Sequence, residues 1–184
     1  MNKFKIFSIA LVATTTIAKA QDVDQAKKAL DAEQYEKAKT ILKSVIVTKP
    51  ENGKASFLLG NIYLKQNSED SAKIYFQKGL AATEGSRFNS IGLAQLDLEN
   101  GNATAAQSKI DLVIKDLRKK DIEEYLYIAQ AYMNSSKPDY KAAIALLEKA
   151  KGTNPNDANI KLVLGDAYFG DKNQNDAYAS YRDA

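Results

Sequence analysis

The sequence predicts an all-α fold built as a stack of helical hairpins, and three observations predict it. Only 9 Gly and 3 Pro punctuate the 184 residues. Ala, Leu, Lys, Gln and Glu abound, a mixture that favours helix and is poor in strand formers. A period near 34 residues runs along the chain, and a period of that length marks an array of small units that bury their apolar faces on one another.

Two series carry the period. A small residue followed four positions later by a larger one recurs at Ala38 and Leu42, Ala72 and Phe76, Ala106 and Ile110, Ala143 and Leu147, and Ala177 and Tyr181; the alanines lie 34, 34, 37 and 34 residues apart. Upstream of each sits a second small residue, at Ala26, Gly60, Ala94, Ala129 and Gly165, spaced 34, 34, 35 and 36. A small side chain lets two helices approach, and larger neighbours three or four positions away fill the flanking space. Ala38, Gly60, Ala72, Ala94, Ala106, Ala129, Ala143, Gly165 and Ala177 are therefore assigned to the stack and not to ligand.

On these residues the chain resembles the tetratricopeptide repeat family. The second unit reads Ser56-x-x-Leu59-Gly60-x-x-Tyr63, then Ala72-x-x-x-Phe76-x-x-Gly79, and the fifth reads Lys161-x-x-Leu164-Gly165-x-x-Tyr168, then Ala177-x-x-x-Tyr181-x-x-Ala184. The fourth matches as well, after an insertion around Ser136-Lys137-Pro138 that lengthens its spacing. The first and third match less well, with Ala29 and Asp97 where the family usually has Tyr. The resemblance implies an α-solenoid of about five repeats wound as a right-handed superhelix, at about 22–52, 53–86, 87–121, 122–157 and 158–184. Within a domain spanning 21–184, helices are expected at 22–32, 35–48, 53–66, 69–82, 86–100, 103–118, 121–135, 139–151, 157–171 and 174–184. Turns at Glu99–Asn102, Asn134–Pro138 and Gly170–Asn173 fall between the two helices of their units.

Residues 1–20 read differently from all that follows. A short basic start at Lys3 and Lys5, a mostly apolar run from Ile6 to Ile17 and Ala18-Lys19-Ala20 form the pattern of a secretory signal peptide. About a dozen apolar residues fall short of the roughly twenty that span a bilayer. The expectation is a chain exported across the inner membrane to the periplasm, with no stable membrane insertion after cleavage. Cleavage there removes three Lys and no acid, so 26 basic residues against 23 acidic become 23 against 23. A neutral chain with three arginines lacks the clustered surplus that nucleic acid requires. With 0 Cys and 0 His, thiolate and imidazole chemistry is absent, and neither a cofactor, a metal site nor catalysis is expected. The last helix carries Ala177, Tyr178 and Tyr181 up to Ala184 without a polar cap, which points to a longer protein, the repeat-bearing front of an enzyme or sensor, or to a partner on that face.

The resemblance further implies that the first helices line a concave groove that takes other proteins or peptides. Its candidate residues are a polar row, Lys27, Asn61, Gln95, Gln130 and Asp166, and below it Leu64, Leu98, Met133 and Phe169. Asn and Gln both donate and accept, which suits a peptide backbone, while apolar positions hold side-chain anchors. A third row, Phe57, Ile91, Leu126 and Leu162, either faces the groove or packs on the neighbouring helix. Some members of the family clamp an acidic C-terminus with Lys and Asn; Phe57 and Gly92 stand at two of those places, so no such clamp is expected. The charged run Lys115-x-x-Arg118-Lys119-Lys120-Asp121-x-Glu123-Glu124 straddles a helix end and the next helix start, where both signs relieve the helix dipoles.

Overall fold

The computed structural model describes residues 23–184; the expected signal peptide lies outside the described residues. Ten helices follow one another there: α1 (Val23–Asp31), α2 (Tyr35–Thr48), α3 (Gly53–Lys65), α4 (Glu69–Leu80), α5 (Ser86–Glu99), α6 (Ala103–Lys115), α7 (Ile122–Met133), α8 (Tyr140–Thr153), α9 (Ala158–Gly170) and α10 (Gln174–Arg182). No predicted boundary is off by more than three residues. The helices pair as five hairpins, each packing on the next, so the chain is an all-α repeat solenoid. First helices also touch one another in the pairs α3–α5, α5–α7 and α7–α9.

The two small-residue series meet inside the hairpins, as their spacing requires. Ala26, Ala38, Ala72, Ala94, Ala106, Ala129 and Ala143 are all fully buried, and so are Leu42, Phe76, Ile110 and Leu147 beside them. The Phe76 ring lies against both Gly60 of α3 and Gly92 of α5, close enough that a Cβ at either glycine would run into the ring. One aromatic thus fixes the spacing of three helices. In the fifth hairpin the Tyr181 ring lies on Gly165 in the same way, and its hydroxyl donates to Asp166 Oδ1 at 2.7 Å.

The turn inside each hairpin repeats as faithfully, although its residues do not. Glu33, Asn67, Gly101 and Lys172 all take positive φ, between 54° and 75°. Each left-handed residue reverses the chain at the end of the first helix, and the next N–H closes back onto that helix. Gln34 donates to the Ala29 carbonyl (2.8 Å), Ser68 to Tyr63 (2.9 Å), Asn102 to Asp97 (2.7 Å) and Asn173 to Tyr168 (2.9 Å). In the fourth hairpin the insertion leaves only the equivalent closure, from Asp139 to Tyr132 at 3.0 Å. Asn52, Asp139, Asp157 and Asn173 then cap the following helices by accepting from backbone N–H groups.

Neighbouring hairpins are also laced at their loops. Gly53 N–H donates to Glu84 O at 2.8 Å and Glu84 N–H donates to Glu51 O at 3.1 Å. The buried Asn89 amide donates to the carbonyls of Gly53 (2.8 Å) and Gly85 (3.0 Å). These bonds hold α3 beside α5 at their N-terminal ends.

Gly60→Leu is expected to lower the stability of the fold by about 1–3 kcal/mol, because Phe76 cannot move without displacing Gly92 as well. Phe76→Ala should cost about 3–5 kcal/mol through the cavity it leaves. Urea unfolding followed by circular dichroism measures both, and a Gly60→Leu chain as stable as wild type would contradict the packing described.

Candidate functional site

The first helices of hairpins one to four enclose a cavity of about 410 Å³ on their inner side. Leu30 and Tyr35 supply one wall, Leu58, Asn61, Ile62 and Leu64 of α3 and Gln95 of α5 the floor, and Tyr127 and Gln130 of α7 the opposite wall. Lys65, Asn67, Glu99 and Asn134 also line it. Helices α3, α5 and α7 present these residues in the same order, since each enters the stack with the same polarity.

Towards the N-terminal ends of α3 and α7, beyond the cavity lining, charges and rings bridge the first helices. Glu123, in the first turn of α7, accepts from Lys27 Nζ of α1 at 2.7 Å and from Lys54 Nζ of α3. Lys54 also lies over the Phe88 ring of α5, 4.8 Å from its centroid. Beneath this bridge Tyr127 meets Phe57 edge-on at 4.7 Å between centroids and Phe88 at 5.8 Å. Burial opposes ionisation of Glu123, yet the hydrogen bonds from Lys27 and Lys54 hold its carboxyl below the usual range. Burial pushes the Tyr127 phenol up to about 12, so it stays neutral and packs as an aromatic wall.

Among the described residues, the Oδ1 atoms of Asn61 and Asn89 are buried without a hydrogen-bond partner. An unpaired buried acceptor costs roughly 1–3 kcal/mol.

Of the residues singled out from the sequence, the fold brings Asn61, Gln95, Gln130 and Leu64 together in this cavity. The remaining ones lie elsewhere. Lys27 is committed to Glu123. Leu98 and Met133 are partly buried against the core, Asp166 accepts from Tyr181, and Phe169 stands 65% exposed on the far hairpin. In the third row Phe57 and Ile91 are fully buried core residues, Leu126 is partly buried, and Leu162 is exposed. Tyr127, Glu123 and Lys54 were not anticipated. A signal was present, because Lys54, Phe88 and Glu123 occupy one repeat position in three successive units, and Tyr127 stands where the third unit has Gly92.

The charged run between α6 and α7 forms a network instead of relieving helix dipoles alone. Asp121 accepts from Arg118 N–H at 3.0 Å and pairs with Arg87 at 3.1 Å. Arg87 also pairs with the buried Glu124 at 2.8 Å and donates to the Asp116 carbonyl at 3.2 Å. Glu123 and Glu124 thus face opposite ways, one to the cavity end and one to the hairpin junction.

A tetratricopeptide repeat profile matches residues 29–90, and a profile for the tetratricopeptide repeat protein 21 ARM repeat matches residues 87–184. The chain belongs to the tetratricopeptide repeat family. It is similar to a tetratricopeptide repeat protein from Parabacteroides merdae, with 21% identity and a TM-score of 0.63 over 87% of this chain and 61% of that one. The chain therefore spans about three fifths of that relative's length. It is also similar to PilF of Pseudomonas aeruginosa (17% identity, TM-score 0.56, 89% of this chain and 74% of that one). A third is PilW, described as a widely conserved type IV pilus biogenesis factor (15% identity, TM-score 0.56, 88% and 73%). At these identities the likeness is one of fold. A search among curated proteins finds no match.

The network predicts an acid-sensitive step. The side-chain hydrogen bond from Arg118, together with Arg87, holds Asp121 at about 2 instead of 3.8. A depressed carboxyl stabilises the fold above its unfolded value and loses that contribution as pH falls through the folded one. Melting temperature is expected to drop between about pH 4 and pH 2, and the drop should be shallower in Asp121→Asn, which is also less stable at pH 7. Equal slopes in the two proteins would remove Asp121 from the network.

Proposed function

We propose that this protein is an exported scaffold that binds other proteins in the bacterial cell envelope through its concave face and catalyses no reaction itself. The observation that carries the reading is the convergence of Asn61, Gln95 and Gln130, from three successive repeats, on one cavity. Amides in a row offer both donors and acceptors to a peptide, and the leucines and tyrosines between them accept side chains. The sequence adds the signal-peptide pattern of residues 1–20, whose removal leaves equal numbers of basic and acidic residues. No helix among the described residues is long and apolar enough to cross a membrane. PilW, described as a type IV pilus biogenesis factor, has a similar fold.

The test uses the full chain in its host. A photo-crosslinking amino acid at Gln130, inside the cavity, is expected to capture discrete protein partners, whereas the same group at the exposed Leu112 of α6 captures none of them. Gln95→Ala should weaken that capture while changing stability by no more than about 0.5 kcal/mol. Mass spectrometry of the periplasmic fraction should find a chain beginning at Gln21. Equal capture from both positions, or a chain retained in the cytoplasm with Met1 intact, would overturn the corresponding half of the reading.

A further inference from the structure

We infer that the Lys27–Glu123–Lys54 bridge is a latch on a hinged solenoid: it holds α7, with the rest of hairpins four and five behind it, against hairpins one to three, and so sets the width of the inner cavity. The inference rests on the binding reading above only for its consequence, that access to the cavity is controlled from this bridge.

The hinge lies between α6 and α7. At the other junctions the second helix of one hairpin packs along the first helix of the next, α2 on α3, α4 on α5 and α8 on α9; α6 and α7 lack that packing. Besides the contact of α5 with α7, what crosses here is mostly polar. Arg87 pairs with Asp121 and Glu124, the Tyr132 hydroxyl donates to Gln107 Oε1 at 2.9 Å, and the Ser136 hydroxyl donates to the Glu99 carbonyl at 2.9 Å. Segments joined by few apolar contacts open at the least cost, and a few residues at element ends absorb the movement.

One face of α7 carries both the latch and a cavity wall. Glu123, Tyr127, Gln130 and Asn134 follow at intervals of four, three and four, which sets them along one side of the helix. Tyr127, Gln130 and Asn134 line the cavity, and its other lining residues all belong to hairpins one to three. A swing at the hinge therefore moves one wall away from the rest. Against that swing stand the bonds from Lys27 of α1 and Lys54 of α3 to Glu123, and the edge-on contact of Tyr127 with Phe57 of α3. The three charged side chains are 25–35% exposed, so the bridge can part and re-form in contact with water while the hairpins stay folded. A single carboxylate holds two ammonium groups, so its loss turns attraction at this point into repulsion.

The protein contains no Cys, so introduced cysteine pairs carry spin labels to chosen sites alone. In the full chain, labels at Lys37→Cys and Ala145→Cys, exposed positions on α2 and α8, report the distance across the hinge. Labels at Lys37→Cys and Leu112→Cys, the latter on α6, report a distance within hairpins one to three. Pulsed electron spin resonance is expected to show the first distance longer and broader in Glu123→Lys, and shifted the same way by less in Glu123→Gln, with the second distance unchanged in both. Exchanging all three charges, as Lys27→Glu, Lys54→Glu and Glu123→Lys together, should restore the wild-type distribution. Circular dichroism checks helix content, and Glu123→Gln carries the test should Glu123→Lys fail to fold. A first distance unchanged in the folded Glu123 variants, a second distance that shifts as much as the first, or an exchange that restores nothing overturns the inference. The distances are read without a partner, so failed capture at Gln130 strikes the binding reading and leaves the latch standing, and unchanged distances do the reverse.

Discussion

The structure depends on a steric contract between the two helices of each hairpin: where one helix gives up its side chain, its partner supplies a large one. Phe76 shows the contract most fully, because a single ring occupies the space vacated by Gly60 and by Gly92. That contact sets the hairpin and, through α5, the distance to the next hairpin. A lone hairpin could not bury the remaining apolar face, so each leans on its neighbour and the stack grows in one dimension. The inner surface is a consequence, since first helices brought this close present their next row of side chains side by side. Asn61, Gln95 and Gln130 become neighbours only because Gly60, Ala94 and Ala129 precede them.

Apolar packing does not run evenly through the stack. The buried side chains fall into two clusters, one centred on the first two hairpins and one on the last three. At the junction of α6 with α7 packing is sparse, and there the Arg118–Asp121–Arg87–Glu124 network takes its place. Ion pairs that are partly buried and share hydrogen bonds hold geometry more than they add stability. By fixing the entry of α7, this network also aims Glu123 at Lys27 and Lys54 and brings Tyr127 onto Phe57. The charged junction and the Lys27–Glu123–Lys54 bridge are thus two faces of one turn of α7.

How much of this was legible in the sequence follows the range of each interaction. The small and large series, separated by one turn of helix or one repeat, are local or periodic, and they gave ten helices and their phase. The left-handed turn was not legible as such, because Glu33, Asn67, Gly101 and Lys172 share a backbone conformation and no side-chain chemistry. Of the polar row, Asn61, Gln95 and Gln130 meet in the cavity, and its ends, Lys27 and Asp166, do not. Lys27 finds a carboxylate 96 residues away, a distance at which periodicity no longer predicts a partner. Phe57 and Ile91 were ambiguous for a related reason: the same repeat position is buried in a tight part of the stack and exposed, as Leu162, in a looser one.

This division has a consequence for how such a protein acquires a ligand. The large residues of the second helices are consumed by packing, so altering them alters the fold. The middle of the first-helix row lines the cavity and not the core, so Gln95 or Gln130 can change with little effect on stability. At the N-terminal ends of α3 and α7 a bridge of three charges and a cluster of three rings tie the first helices together, so change there is coupled to the stack. The same solenoid can therefore vary what it binds in the middle of the row while Lys27, Glu123 and Tyr127 hold α1, α3 and α7 in place at its end.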